Sequence, residues 1–189
     1  MPEIDALLAR NQAFAATGAH NGLSPIPKHQ LFVITCMDPG VDPAAILGLE
    51  LGDALVIRNA GGRVTDEVIA AIAFVAHLGE TMLGAEAPPF EVAVIHHTSC
   101  GTGLLADADF RRGFVDRIEA DGGALAAQAV VDPAVSVHAD VERLRRSTSL
   151  PDRASASGHV YDVETGTIQT LVSDSAGLEP GERSATEQR

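Results

Sequence analysis

The chain has 189 residues, enough for one domain with a sizeable core and too few to expect two. Its formal net charge of −13 repels phosphate backbones and anionic membrane surfaces, and with no Trp and one Tyr it lacks stacking platforms for single-stranded nucleic acid. No uninterrupted apolar run approaches the roughly 20 residues of a bilayer span, and the N-terminus from Met1 to Asp5 has no signal-peptide core; the expected location is cytoplasmic, where two cysteines serve as ligands or free thiols rather than as a disulfide.

Three sections are expected: an N-terminal helical arm over residues 1–28, a main domain over 29–173 and a polar tail over 174–189. In the arm, Ile4, Leu7, Leu8 and Phe14 recur at roughly helical spacing between Glu3 and Thr17. Glycines and prolines from Gly18 to Pro27 end that pattern. Leu31 to Thr35 is a continuous apolar run, the signature of a strand buried on both faces. Asp42-Pro43 reads as a helix cap followed by proline, opening a short helix through Leu49. Ala54 to Ile57 is a second buried strand, followed by Arg58-Asn59-Ala60-Gly61-Gly62-Arg63. Thr65 caps a helix to about Leu78, where Gly79 is the expected stop.

Residues 85–89 are expected to be loop, and Glu91 to His96 a third strand. Residues 107–121 read as helix. Asp132-Pro133 starts another helix through about Arg146, and 147–157 is a polar loop. Two strand-like runs, Gly158 to Val163 and Thr167 to Val172, flank Glu164-Thr165-Gly166 as a hairpin. Alternating strands and helices point to an α/β fold with a mostly parallel central sheet flanked by helices and a C-terminal hairpin edge.

The only two cysteines sit directly after two of these strands, in Cys36-Met37-Asp38-Pro39-Gly40 and His96-His97-Thr98-Ser99-Cys100-Gly101. Zinc favours tetrahedral sites of thiolate, imidazole and carboxylate. Cys36, His97 and Cys100 supply three ligands, and Asp38 either supplies the fourth or hydrogen-bonds a water that does. His96 alternates to the other face of its strand and reads as packing or hydrogen bonding. The segment Arg58 to Gly62 lacks the spacing of a phosphate-binding loop and reads as a wall of the cleft.

At these residues the chain resembles the β-class carbonic anhydrases, which carry Cys-x-Asp-Ser-Arg or a close variant after the first strand and His-x-x-Cys-Gly after the third. The resemblance extends to Arg58-Asn59-Ala60-Gly61-Gly62 and to Gly158-His159-Val160-Tyr161-Asp162-Val163, and so spans most of residues 30–172. It implies a zinc-binding domain with Cys36, His97 and Cys100 as metal ligands. Asp38 would orient the catalytic hydroxide or ligate zinc itself. It further implies hydration of CO2 to bicarbonate and a homodimer or higher homo-oligomer in which the N-terminal helix reaches the partner. The departure is at Gly40, where the family has an Arg paired with the Asp. A carboxylate without that partner tends to bind the metal, and Arg58 and Arg63 are the candidates to replace it. Two alternatives follow: hydrolysis of carbonyl sulfide or carbon disulfide at the same site, or a silent zinc-binding paralogue closed by Asp38.

Overall fold

The computed structural model describes residues 3–118 and 121–173. Five strands form one sheet: β1 (Leu31–Cys36), β2 (Leu55–Asn59), β3 (Phe90–His97), β4 (Ala154–Tyr161) and β5 (Ile168–Val172). Their order is β2-β1-β3-β4-β5; the first four run parallel and β5 returns antiparallel to β4. The expected α/β sheet with its hairpin edge is thus the observed one. The β1 and β3 ladder places Thr35 opposite Ile95, so Cys36 and His97 leave the sheet side by side at its carboxyl edge.

One face of the sheet is covered by α3 (Asp66–Leu83) and α6 (Pro133–Arg146). Between them lies the main core, with Phe32 and Ile34 of β1, Val92 and Val94 of β3, Ile69 and Ile72 of α3, and Val137, Val141 and Leu144 of α6. Each helix begins on a side-chain cap: Thr65 Oγ1 accepts from Val68 N, and Asp132 Oδ1 accepts from Ala134 N. Residues 66–86 are long and apolar enough to cross a membrane, yet Val68, Ile69, Ile72 and Ala76 pack into this core and make α3 a cover for the sheet.

Several expectations change. The strand after Gly52 is not buried on both faces: β2 is an edge strand, and Val56 is 45% exposed. A short apolar run looks the same whether one or two neighbours flank it, and among the described residues only β1 flanks this one. Gly79 does not stop α3, which continues to Leu83 and ends at Gly84, φ 59°, whose N–H reaches Glu80 O. A lone glycine costs a helix only about 1 kcal/mol, whereas Gly84 takes the positive φ that ends it. The helix expected over 107–121 is α4 (Ala108–Ile118), with a separate short α5 (Gly122–Ala127) capped by Asp121; a 3-10 segment, Gly101–Ala106, precedes α4. Part of the supposed polar loop 147–157 is strand, because Ala154 to Ser157 pair with Phe90 to Ala93. The helix after Asp42 is α2 (Pro43–Leu47), ended by Gly48 at φ 68°.

The N-terminal arm is helix α1 (Glu3–Thr17), exposed from Ile4 to Thr17. The polar tail expected over 174–189 lies outside the described residues.

Candidate metal centre

Cys36 is the last residue of β1, His97 the last of β3, and Cys100 closes the tight turn after β3. That turn places Ser99 at φ 57°, unusual for a residue with a side chain. It is held by Thr98, whose N–H donates to Tyr161 O and whose hydroxyl accepts from Val163 N. The ligand atoms of Cys36, His97 and Cys100 all lie within 4.8 Å of one another, and all three residues are buried.

The donor set fits zinc on two counts. His97 Nδ1 is 2.9 Å from Thr98 O, which can only accept, so Nδ1 carries the proton and Nε2 presents its lone pair. That Nε2 is buried without a hydrogen-bond partner, the condition a metal ligand leaves behind. The two sulfurs are 3.9 Å apart; a tetrahedral ion with bonds of about 2.3 Å separates two sulfurs by roughly 3.8 Å, whereas a disulfide needs about 2.05 Å.

A hydrogen bond links the two thiols. The hydrogen bond from Cys36 lowers Cys100 to about 6, while that contact, together with burial, pushes Cys36 up to about 11. The contact with Cys36 also raises His97 above the usual imidazole range. Cys36 Sγ accepts from the backbone N–H groups of Asp38 and Gly61, and the Thr102 hydroxyl lies 3.2 Å from Cys100 Sγ. Val41 and Val130 cluster with the two cysteines, with Tyr161 alongside, giving the centre an apolar wall.

Asp38 is not in the three-residue cluster. It caps the 3-10 turn Pro39–Val41, with Oδ1 accepting from Gly40 N at 2.8 Å. Neither arginine pairs with the Asp38 carboxylate. Arg58 staples the loop instead: Nε donates to Cys36 O at 3.0 Å, Nη2 to Asp38 O at 2.6 Å and Nη1 to the Asp42 carboxylate at 2.7 Å. Arg63 is committed to Asp140. His96 is buried and hydrogen-bonded to Ser136 and Gly62 O, as its strand position predicted. His77 and His138 are exposed.

Sequence reasoning missed Asn59, whose side chain brackets Arg63 by accepting from its N–H and donating to its C=O. It also missed Asp140. The readable signal there was an acidic residue on the same helical stripe as Val137, Val141 and Leu144, since a charge on a core-facing stripe requires a partner.

The carbonic anhydrase family model matches residues 31–168. The chain is similar to a β-carbonic anhydrase of Mycobacterium tuberculosis, 31% identical over 171 residues, covering 90% of this chain and 99% of that one. It is also similar to a carbon disulfide hydrolase of Acidianus, 28% identical over 169 residues, covering 74% of this chain and 76% of that one. The crystal structure of a Streptococcus mutans carbonic anhydrase superposes with a TM-score of 0.74 at 34% identity, covering 90% of this chain and 98% of that one. The chain belongs to the β-class carbonic anhydrase family.

Proposed function

We propose that this member of the β-class carbonic anhydrase family is a zinc-dependent lyase that interconverts CO2 and bicarbonate. Cys36, His97 and Cys100 hold the metal, and Asp38 orients the attacking water. The observation that carries this reading is the convergence, within 4.8 Å, of two buried thiols and an imidazole whose Nε2 has no other partner. Zinc bound there supplies a Lewis acid that draws the pKa of a water towards neutral and so provides a nucleophile at physiological pH.

The chain's own residues do the rest. Two thiolates offset the charge of the cation, and Thr98 O fixes the His97 tautomer that offers Nε2. Val41 and Val130 keep one wall dry, where an apolar substrate such as CO2 is not competed away by water. Asp38 engages Gly40 N through Oδ1 and keeps acceptor capacity for the water's O–H, which turns an oxygen lone pair towards the carbon. Addition of water to CO2 gives bicarbonate and releases one proton to solvent. The exposed apolar residues Ile4, Leu7, Leu8 and Phe14 of α1, and the open edge of β2, support a homodimer in which each arm packs on its partner. Two unbridged thiols suit a cytoplasmic setting.

The similarity to a carbon disulfide hydrolase supports a second substrate class, the linear sulfur analogues of CO2. Zinc quantification with parallel assays of CO2 hydration and of sulfide release from carbonyl sulfide and carbon disulfide tests both. One zinc per chain and hydration that rises with pH are expected. Sulfide release without hydration transfers the assignment to the second class. Zinc-loaded protein inert towards all three substrates up to pH about 9 overturns both and leaves a site closed by Asp38.

A further inference from the structure

Behind the turn that follows β2 lies a buried charge cluster that the reaction does not touch. The Asp140 side chain is 4% exposed and that of Arg63 13%. Burying such ions costs several kcal/mol each unless their hydrogen bonds are met, and here both carboxylate oxygens are engaged. Oδ2 accepts from Arg63 Nε at 2.7 Å and from Val64 N at 3.1 Å; Oδ1 accepts from Arg63 Nη2 at 3.0 Å. Fully buried His96 joins them. Its Nε2 lies 3.2 Å from Asp140 Oδ2 and 3.2 Å from Gly62 O. Both can only accept, so Nε2 carries the proton and donates to the two. Burial opposes the charge on Asp140, but the bonds from His96, Arg63 and Val64 together outweigh it and hold the carboxyl below the usual carboxylate range.

The cluster reaches the metal centre through Gly61 and Gly62. A Cβ on Gly62 would lie 2.8 Å from Cys36 N and 2.8 Å from Thr35 C, so this backbone rests on the end of β1. The N–H of Gly61 donates to Cys36 Sγ. A shift of the turn therefore alters both the position of the Cys36 sulfur and the hydrogen bond that draws charge from it.

We propose that Asp140 and Arg63 are positioning residues for Cys36, acting through His96 and the Gly61–Gly62 turn to set the N–H···S hydrogen bond on that ligand. This rests on the reading of Cys36 as a zinc ligand. Partners one step removed from a metal are worth about 10–100-fold in metal affinity, and the same order applies here although the path runs through backbone.

The test is chelator competition for zinc, with absorption spectra of the cobalt-substituted protein, whose sulfur-to-metal charge-transfer bands report thiolate donation. Asp140→Asn and Arg63→Met are expected to weaken zinc by about tenfold or more and to shift those bands. Because a single change leaves one buried charge unpaired and threatens folding, the double variant Arg63→Met/Asp140→Leu accompanies them. Removing a buried pair together is often neutral for stability, so this variant is expected to fold while still binding zinc weakly with shifted bands. Glu80→Gln, which breaks an ion pair with Arg153 elsewhere, is the control and leaves the spectrum unchanged. Wild-type affinity and spectrum in the folded variants, double variant included, overturn the proposal while leaving the zinc reading intact. A wild-type chain that takes up neither zinc nor cobalt overturns both.

Discussion

The turn after β2 meets Cys36 with its backbone: Gly61 and Gly62 are buried, at φ 82° and 66°, and have no room for side chains. The turn after β1 follows directly from Cys36, yet it is exposed at Met37, Pro39 and Gly40 and hangs from the guanidinium of Arg58. The first is fixed by close packing and a buried ion pair, the second by hydrogen bonds to main-chain carbonyls. Close packing constrains every atom, whereas hydrogen bonds to carbonyls constrain only the backbone path. The turn after β1 is therefore where a side chain can be replaced without moving Cys36.

The largest expected effect is that of Gly62→Ala. Its Cβ would strike the main chain of β1 at a φ that alanine resists, so a loss of about 3 kcal/mol or more and loss of bound zinc are expected, read by thermal melting and zinc content. Wild-type values for both would mean that the turn can withdraw from Cys36.

Arg58→Met comes next. It removes bonds to Cys36 O, Asp38 O and Asp42 without creating a clash. A cost of about 2 kcal/mol in urea unfolding and about tenfold weaker zinc by chelator competition are expected. An effect larger than that of Gly62→Ala would reverse the ranking of the two turns.

Gly40→Arg sharpens the comparison further. Gly40 does not have a positive φ, and an added Cβ would meet only Asp38 Oδ1, at 3.2 Å. Stability should change by less than about 0.5–1 kcal/mol. A guanidinium on Asp38 in place of the Gly40 N–H exchanges a neutral donor for a charged one, a difference of about 1 kcal/mol, so CO2 hydration should rise by less than tenfold. A much larger gain would mean that the Gly40 amide is a poor substitute for arginine.

Asp53→Asn sets the baseline, because Asp53 pairs with Lys28 just before β1, at the opposite end of that strand from the centre. The N–H of Glu50 and the ammonium of Lys28 hold its carboxyl below the usual range. A depressed folded pKa contributes stability that is present above the unfolded value near 3.9 and is lost as pH falls through the folded value. The variant should be slightly less stable than wild type at neutral pH and match it in acid, with zinc binding unchanged. A gap that persists in acid would assign the role of Asp53 to shape rather than charge.

Much of the candidate centre was legible because each of its two segments carries its own signal in a few consecutive residues. Cys36 ends an apolar run, and His97 and Cys100 are three apart after another, so residue type and spacing together pointed to the three residues that the fold brings within 4.8 Å of one another. The partner of Asp38 was not legible. Gly40 reads as a missing arginine, and nothing in a linear chain tells that its N–H folds back on the carboxylate or that Arg58 is spent on Asp42 and two carbonyls. The edge status of β2 escaped for a similar reason, since Leu55, Val56 and Ile57 would look the same with a neighbour on each side.

By itself, the sequence determined what short-range periodicity and chemistry encode: the parallel strands, the capped helices, the hairpin and the three residues that converge on the candidate metal centre. Only the tertiary structure decided which charges meet. Arg63 and Asp140 are 77 residues apart, and Arg58 had three negative or carbonyl partners within reach rather than one. Electrostatic pairing depends on distance and burial in space, and neither is a property of position along a chain.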